Sequence, residues 1–443
     1  MKKRAISVGF VALGCPKNIV DSERMLAIIG EEGFCISSDP DNADVVVINT
    51  CGFIEPAKQE AIAAIKQAVK RKKNGAVGKV IVAGCLSEKM GEGLFDEVKG
   101  IDAIVGLGAR ESIGSIIKKT LEGDKHIYLP EHANTINDDR GRLLITPAHW
   151  AYLRISEGCN RKCAFCTIPA IRGQFRSKPM EMVVAEAKEL VANGAIELSI
   201  IAQDSNYYGK DLKIENGLGK LIKELEKIKK LKWIRLMYLY PAGIDEVLLQ
   251  AIVKSEKVVR YFDLPMQHVN NEILKKMRRA DTKQKNQRLV ERIRELMPEA
   301  VLRTTFITGF PGETDDQFDE LLEFVKWAKF DAMGCFTFYA EKGTIAAEMD
   351  GQVEEKLKTQ RADELMTIQQ KIAFDRNAAR VGSEMICLID NVDQQGQGEG
   401  RFYGQAPHID SVCVIKECKA SAGSFIKTKV VGWEGYDLLV EQI

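Results

Sequence analysis

The strongest chemical pattern in this sequence is a group of three cysteines within eight residues. Cys159, Cys163 and Cys166 follow an apolar segment with the spacing Cys-x3-Cys-x2-Cys. Three thiolates at this spacing can bind three irons of a 4Fe–4S cluster and leave the fourth iron without a protein ligand. Such an open coordination position is typical of a catalytic metal centre. A structural zinc site is the alternative, but zinc would need a fourth ligand, and the nearest candidate, His149, precedes the strand.

Three further cysteines each come directly after a strand-like segment. They are Cys15, Cys51 and Cys85. In an open parallel sheet, ligands bind at the carboxyl ends of the strands, so we expect these thiols to converge on one edge. The convergence predicts a second 4Fe–4S cluster, again with one open iron. The alternative interpretation is that all three are small buried apolar residues.

The elements that must position the second group of cysteines occupy residues 1–125, where apolar strands alternate with helical periodicity. This alternation predicts a doubly wound parallel sheet. The expected strands are Ile6–Leu13, Val45–Asn49, Lys79–Ala83 and Asp102–Val105, and the expected helices are Asp21–Glu32, Pro56–Lys73, Ser87–Val98 and Arg110–Leu121. Residues 126–148 are expected to be a linker.

Residues 149–380 repeat the alternation and must position the first group of cysteines. Six parallel strands over this length predict a partial, TIM-like β/α barrel, because a full eightfold barrel takes about 250 residues. The expected strands are Tyr152–Ser156, Leu198–Gln203, Trp233–Tyr240, Tyr261–Leu264, Val301–Phe310 and Gly334–Tyr339. Residues 381–443 change to short strands separated by turns, which predicts a small antiparallel β-barrel of the oligonucleotide-binding (OB-like) kind. The whole chain is therefore expected to be of the α/β class.

Composition excludes several classes of protein. The 443 residues are 45% hydrophobic, which excludes wholesale disorder, and 63 basic side chains balance 63 acidic ones, which excludes a global basic field for nucleic acid. The eleven cysteines are odd in number and partly in metal-ligand spacing, so we expect a reducing cytoplasm. No apolar run reaches the length of a membrane span, so no membrane partner is expected.

Residues 381–443 carry nine acidic and five basic side chains, a net charge of −4 that suits a basic protein partner better than a phosphate backbone.

Together these motifs resemble known families. The first cysteine group, with Phe165 before its last cysteine, resembles the radical S-adenosylmethionine superfamily, and the two groups together resemble its methylthiotransferases. The branch that acts on a ribosomal protein is matched over nearly the whole chain by long motifs, which are Leu13-Gly14-Cys15-Pro16-Lys17-Asn18, Val20-Asp21-Ser22-Glu23, Asn49-Thr50-Cys51-Gly52-Phe53-Ile54, Tyr238-Leu239-Tyr240-Pro241 and Leu264-Pro265-Met266-Gln267-His268.

This resemblance implies two 4Fe–4S clusters and S-adenosyl-L-methionine as cofactors, and a terminal barrel of the TRAM kind. It implies that one cofactor molecule methylates a sulfur held on the cluster of the strand-end cysteines. A second molecule is cleaved at the other cluster, and the resulting radical activates the β-carbon of an aspartate in small-subunit ribosomal protein twelve. It also implies an external electron donor and a sulfur source. The alternatives are the same chemistry on an adenosine of transfer RNA, and a non-catalytic metal-binding adaptor.

Beyond the cluster ligands, the sequence predicts no catalytic residue but suggests several residues for the cofactor. Gly309 and Gly312 lie in a segment, Gly309-Phe310-Pro311-Gly312-Glu313, that resembles the family's cofactor-contacting loop and precedes a helix. Gln203 and Asp204 take the place of a Gly-Gly-Glu element that is common in the wider superfamily. Arg303, like Arg172 and Arg176, is a candidate partner for a carboxylate. For His268, a role beside the site and simple packing both remain open.

Overall fold

The computed structural model describes residues 5–123, 126–130 and 136–443. Residues 1–4, 124–125 and 131–135, which belong to the expected N-terminal domain and linker, lie outside the described residues. The chain divides into two compact units. The amino-terminal unit comprises Met1–Ile145, Ser156–Arg161 and Cys166–Lys178, and the carboxy-terminal unit comprises Thr146–Ile155, Lys162–Phe165 and Pro179–Ile443. Among the helices of the described residues, none is long and apolar enough to cross a membrane.

Strands and helices alternate through most of the described chain. The strands are β1 (Ser7–Ala12), β2 (Cys35–Ser37), β3 (Val45–Thr50), β4 (Lys79–Gly84), β5 (Ala103–Val105), β6 (His126–Tyr128), β7 (Trp150–Arg154), β8 (Ser156–Glu157), β9 (Arg176–Ser177), β10 (Glu197–Ile201), β11 (Trp233–Leu236), β12 (Tyr261–Gln267), β13 (Val301–Thr308), β14 (Ala332–Thr337), β15 (Glu384–Val392), β16 (Gly398–Phe402), β17 (Cys413–Ile415), β18 (Phe425–Glu434) and β19 (Asp437–Gln442). The α-helices are α1 (Pro16–Glu31), α2 (Glu55–Lys73), α3 (Cys85–Met90), α4 (Gly93–Glu97), α5 (Ile113–Leu121), α6 (Ile168–Arg172), α7 (Met180–Ala192), α8 (Gly217–Glu226), α9 (Glu246–Lys254), α10 (Asn271–Lys276), α11 (Lys283–Leu296), α12 (Asp315–Ala328) and α13 (Glu355–Arg380). Short 3₁₀ helices span Leu107–Ser112, Ser205–Tyr207, Pro241–Gly243 and Ile345–Glu348.

The amino-terminal unit is built on a parallel sheet with the strand order β2-β1-β3-β4-β5-β6. Its central strand β3 is buried throughout: Val46 and Ile48 pack on one face, and Val45 and Val47 pack on the other. Helix α2 covers the first face, while α1 and α5 cover the second. Burial on both faces explains the uniformly apolar strands and confirms the doubly wound sheet.

The segment expected to be a linker, 126–148, is partly built into the amino-terminal unit, which corrects that expectation. Strand β6 pairs in parallel with β5 at the edge of the sheet. Asp139 is fully buried and forms ion pairs with Arg110 (2.7 Å) and Lys178 (2.5 Å). A three-residue edge strand and a single buried carboxylate leave no periodic pattern in the sequence, which is why neither was expected.

The carboxy-terminal unit contains six parallel barrel strands in two sheets, with the orders β11-β10-β7 and β12-β13-β14. The two sheets are joined where the Leu239 N–H donates to the carbonyl oxygen of Asp263 at 2.9 Å. Helix α13 packs beside β14, where the Gln369 amide donates to the carbonyl oxygen of Phe330 at 2.9 Å. This arrangement confirms the partial β/α barrel, with six strands in place of eight.

Residues 381–443 form a closed barrel with the strand order β15-β16-β17-β19-β18, which we call the terminal barrel. Its strand pairs are antiparallel except β17 and β19, which run parallel, so the expectation of an antiparallel barrel holds for all pairs but one. Strand β19, which the sequence pattern did not reveal, supplies the parallel pair that closes the barrel.

The terminal barrel packs against the amino-terminal ends of the β/α barrel strands. The first residues of β10, β11 and β12 each contact it, and the contacts are Glu197 with Arg401 at 2.7 Å, Trp233 with Phe425 at 4.8 Å between ring centroids, and the Tyr261 hydroxyl with Asp410 at 2.7 Å. Arg401 is 2% exposed, and its guanidinium also donates to both carboxylate oxygens of Asp390. A buried ion network therefore holds the terminal barrel to one end of the β/α barrel.

We expect Arg401→Met to lower the free energy of unfolding by about 3–5 kcal/mol, because the buried carboxylate of Glu197 and the partly buried carboxylate of Asp390 would lose a shared cation. Equilibrium unfolding in urea measures the change. Lys427→Met is the matched control: Lys427 pairs with Glu384 where both side chains are more than half exposed, so the cost should stay below about 1 kcal/mol. Equal costs for the two variants would contradict the structural role given to Arg401.

Candidate metal centre and cofactor loop

The three strand-end cysteines of the amino-terminal unit lie at one edge of its sheet. Cys15 follows β1, Cys51 follows β3 and Cys85 follows β4, and these three strands are neighbours in the sheet. A Cβ atom placed on Gly14 would lie 2.6 Å from the Cβ of Cys51, so the chain beside Cys15 is in contact with the second cysteine. The structure thus brings together the cysteines that the sequence predicted to converge.

Two glycines make this convergence possible. Gly14 and Gly84 both have φ of +94°, in the left-handed region that disfavours a side chain. A Cβ on Gly84 would lie 2.2 Å from Asn49 Oδ1 and 2.7 Å from the carbonyl oxygen of Thr50. Glycine at 84 therefore lets β4 approach β3 closely while the chain turns to deliver Cys85 at the start of α3.

The side chain of Asn18 joins the ends of the cysteine-bearing strands. Its Nδ2 donates to the carbonyl oxygens of Leu13 (3.1 Å) and Thr50 (2.9 Å), which lie two residues before Cys15 and one before Cys51. Its Oδ1 lies 3.4 Å from the sulfur of Cys85 and accepts from Arg172 at 2.6 Å. Asn18 was part of a motif in the sequence, but spacing gave no sign of this contact with all three strand ends.

Burial raises the pKa of the Cys85 thiol to about 12 and raises the pKa of Cys51 above its usual value. The nearby Cys15 raises the pKa of both thiols further, while Arg172 opposes the rise. The sulfurs of Cys51 and Cys85 therefore lie in a poorly solvated environment beside the half-buried Cys15, and bound iron would take the place of the thiol protons. Soft sulfur donors in a dry site suit an iron–sulfur cluster. Among the described residues, no three His, Cys, Asp or Glu side chains are arranged to hold a metal ion. Binding of a cluster would therefore require the three thiols to turn towards a common centre.

The other three cysteines lie on one loop whose parts belong to different units. Cys159 and Cys166 belong to the amino-terminal unit, where the Cys159 N–H donates to the carbonyl oxygen of Gly173 at 3.2 Å. Cys163 belongs to the carboxy-terminal unit. There its neighbour Ala164 is 2% exposed and donates its N–H to the carbonyl oxygen of Met277 at 3.0 Å.

The Gly309–Glu313 loop follows β13 and precedes α12, as expected, but its own side chains occupy it. The Glu313 carboxylate accepts from the Gly309 N–H at 3.0 Å and from Arg361 at 2.8 Å. A Cβ on Gly309 would lie 2.2 Å from Lys358 Cγ, so this glycine is required by packing. The start of α12 has a capping box in which Thr314 accepts from the N–H of Gln317. The loop is therefore a rigid, internally bonded turn.

His268 packs against Glu313 of this loop, so both interpretations from the sequence, packing and a role beside the site, stay predictions. Its ring is fully buried, Nδ1 accepts from the N–H of Asn270 at 3.0 Å, and Nε2 lies 3.4 Å from Glu313. The histidine thus supports the carboxylate that shapes the Gly309–Glu313 loop.

The remaining candidate cofactor residues lie at different levels of the β/α barrel. Gln203 and Asp204 come two and three residues after β10, at the carboxyl end of the strand where ligands bind in such barrels. Arg303 does not: it is the third residue of β13 and pairs with Asp263 at 2.7 Å and with Asp410 of the terminal barrel at 3.3 Å. The expectation that Arg303 binds a cofactor is thereby corrected, because its guanidinium is held by two carboxylates towards the other end of the barrel.

We expect Gly84→Ala to cost more stability than Gly33→Ala in the same unit. Both glycines have positive φ, which costs an alanine about 1–2 kcal/mol, but nothing lies within 4 Å of a Cβ on Gly33. The contacts with Asn49 and Thr50 should add about 1–3 kcal/mol at position 84. Urea unfolding of both variants measures the difference, and equal costs would show that the strand ends are not as closely packed as described.

Comparison with protein-family models gives three matches along the chain. Residues 7–106 match the Uncharacterized protein family UPF0004, residues 153–325 match the Radical SAM superfamily, and residues 381–443 match the TRAM domain. The three matches follow the sheet of the amino-terminal unit, most of the β/α barrel and the terminal barrel.

Several curated proteins resemble the chain over nearly its full length. The protein named Ribosomal protein uS12 methylthiotransferase RimO from Thermoanaerobacter sp. is 43% identical, with 98% of this chain and 99% of the relative covered. Proteins of the same name from Bdellovibrio bacteriovorus and Clostridioides difficile are 42% and 41% identical, each over 98% of this chain and 97% and 98% of the relative.

Among solved structures, the radical S-adenosylmethionine methyltransferase TsrM from Kitasatospora setae shares the fold. Its TM-score is 0.56 at 14% identity, over 75% of each chain. At that identity the likeness concerns architecture alone, and it agrees with the observed parallel sheets.

Proposed function

The chain belongs to the RimO family of ribosomal protein uS12 methylthiotransferases, and we propose that it adds a methylthio group to the β-carbon of an aspartate of uS12. It is a radical S-adenosylmethionine enzyme, and its family uses a 4Fe–4S cluster and S-adenosylmethionine. The observation that best supports the transfer of sulfur is the convergence of Cys15, Cys51 and Cys85 on neighbouring strand ends. Residues 1–125, 149–380 and 381–443 are the proposed functional domains.

The proposed ligands of the first cluster are Cys159, Cys163 and Cys166, which lie within eight residues of one another in the chain. The proposed ligands of a second cluster are Cys15, Cys51 and Cys85. When bound, the first cluster and S-adenosylmethionine would supply a carbon-centred radical, and the second would hold the sulfur to be transferred. The chain would contribute three thiolates to each cluster and leave one iron of each open, and no catalytic residue beyond these six cysteines is proposed.

The protein's own side chains would shape the cofactor site at the carboxyl ends of the barrel strands. Gln203, Asp204, Gly309 and Gly312 are the proposed cofactor-binding residues. Glu313 fixes the loop that carries both glycines, because its carboxylate bridges the Gly309 N–H and Arg361. A fixed loop suits a cofactor that must be held in one orientation while water is excluded.

Ribosomal protein uS12 is the proposed partner, together with an external electron donor and a sulfur source. The net charge of the terminal barrel overstates its attraction for a basic protein partner. Two of its carboxylates, Asp390 and Asp410, are already bonded within the carboxy-terminal unit. The curated relatives from all three organisms carry the uS12 name, which favours this substrate over transfer RNA. A cytoplasmic location is proposed because thiol ligands persist in a reducing compartment.

The test of the function is anaerobic reconstitution followed by incubation with S-adenosylmethionine, a reductant, sulfide and purified uS12. Mass spectrometry of the uS12 peptides should show one added methylthio group on an aspartate. Methylthiolated adenosine in a parallel reaction with transfer RNA, with uS12 unchanged, would favour the alternative substrate. Zinc with no iron after reconstitution would favour the metal-binding adaptor.

We expect Cys51→Ala to abolish methylthio transfer while 5′-deoxyadenosine is still formed, because only the proposed second cluster loses a ligand. Iron content should fall from about eight to about four per chain. Cys35→Ala is the matched control, since Cys35 is an exposed cysteine of the same sheet and should leave both values unchanged. Methylthiolated product from the Cys51 variant would show that this thiol is not an obligatory ligand.

The complementary variant, Cys163→Ala, should abolish 5′-deoxyadenosine formation and retain about four irons per chain on the strand-end cysteines. Cofactor cleavage is measured by chromatography and iron by colorimetric assay of the same preparation. Normal formation of 5′-deoxyadenosine by this variant would overturn the assignment of the Cys159–Cys166 loop.

A further inference from the structure

Arg172 is a buried cation beside the strand-end cysteines of the amino-terminal unit. It is the last residue of α6 and is 2% exposed. Its Nη2 lies 3.3 Å from the sulfur of Cys85 and 2.6 Å from Asn18 Oδ1, while its Nη1 donates to Glu157 at 2.9 Å. A guanidinium with this geometry is a hydrogen-bond donor directed at a proposed cluster ligand.

The contacts of Arg172 reach all three cysteine-bearing strand ends. It contacts Cys85 directly, and through Asn18 Oδ1 it fixes the amide whose Nδ2 bonds the carbonyl oxygens of Leu13 and Thr50. Arg172 holds the Oδ1 end of the Asn18 amide. The Nδ2 end must therefore face the other side, where it donates to the two carbonyl oxygens. One side chain therefore positions the strand ends that carry the three thiols.

Arg172 is itself held by a chain of buried charges. Asp21 accepts from Arg172 at 3.0 Å and also forms an ion pair with Arg110. Arg110 pairs in turn with Asp139 at 2.7 Å. If Arg172 turned away from Cys85, Asp21 would lose one of its two cationic partners and Glu157 would lose its ion pair, which is unfavourable at a site this poorly solvated.

We propose that Arg172 is a positioning residue that sets the reduction potential of the cluster bound by Cys15, Cys51 and Cys85. A hydrogen bond and a positive charge at a ligand sulfur stabilise the reduced, more negative cluster and so raise its potential. The inference rests on the proposed function, because it requires a cluster at these cysteines. It concerns one-electron reduction by an added chemical reductant and does not depend on turnover.

The test uses the full chain with Cys159, Cys163 and Cys166 replaced by alanine, so that only the proposed second cluster is bound. The parent and its Arg172→Met variant are titrated anaerobically with dithionite and followed by electron paramagnetic resonance. The expected result is a potential at least about 59 mV lower in the variant, which corresponds to a tenfold loss in the stability of the reduced cluster. Arg172→Lys, which keeps the charge but not the forked geometry, should give an intermediate value.

Arg142→Met is the matched control, because it removes another buried cation of the amino-terminal unit, whose 1%-exposed side chain pairs with Glu23 at 2.9 Å. It should lower the thermal midpoint about as much as Arg172→Met does but leave the potential unchanged. An unchanged potential in Arg172→Met, or an equal fall in both variants, would overturn the inference. If Arg172→Met binds no cluster, Arg172→Lys decides: a potential below the parent supports the inference, and a parental value overturns it. Absence of a 4Fe–4S signal in the parent itself would instead refute the proposed second cluster.

Discussion

The parallel direction of β1, β3 and β4 is the constraint on which the proposed chemistry of the amino-terminal unit depends. Parallel neighbours end at the same edge, so residues far apart in sequence meet there without any dedicated loop. Cys15 and Cys85 are separated by 70 positions in the chain, yet burial together with the nearby Cys15 and Cys51 raises the pKa of the Cys85 thiol. An antiparallel sheet would have placed one of the three thiols at the opposite edge.

Bringing three thiols to one edge, two of them buried, creates an electrostatic cost that nearby charged side chains partly offset. Burial disfavours thiolates, as the raised pKa of Cys85 shows. Arg172 opposes this rise, and Asp21 and Glu157 hold the guanidinium in place. The buried ion chain is therefore best understood as a support for the cysteine site, since isolated buried ion pairs contribute little stability by themselves.

The sequence predicted the architecture well because the architecture depends on periodic features, whereas the cysteine site stays a prediction that rests on the position of each cysteine next to a strand. Each strand that is followed by a cysteine can be recognised in the sequence by itself. The parallel sheet then places the ends of these strands, and with them the cysteines, at one edge. Arg303 shows where this reasoning fails: residue type suggested a carboxylate partner, but the partners are Asp263 and Asp410, which are 40 and 107 positions away. Charge counting failed for Asp410 in the same way, because a net charge does not reveal which carboxylates are already bonded.

The two ends of the β/α barrel strands serve different purposes, and the terminal barrel explains why. It covers the amino-terminal ends through Glu197, Trp233 and Tyr261, where ion pairs and aromatic packing stabilise the unit. The carboxyl ends, which carry Gln203, Asp204 and the Gly309–Glu313 loop, are thereby left for ligands, as in other barrels of this class. The proposed recognition of a protein partner by the terminal barrel would accordingly use residues outside this junction. Glu399 is exposed and available for that role, whereas Asp410, bonded to Tyr261 and Arg303, belongs to the junction itself.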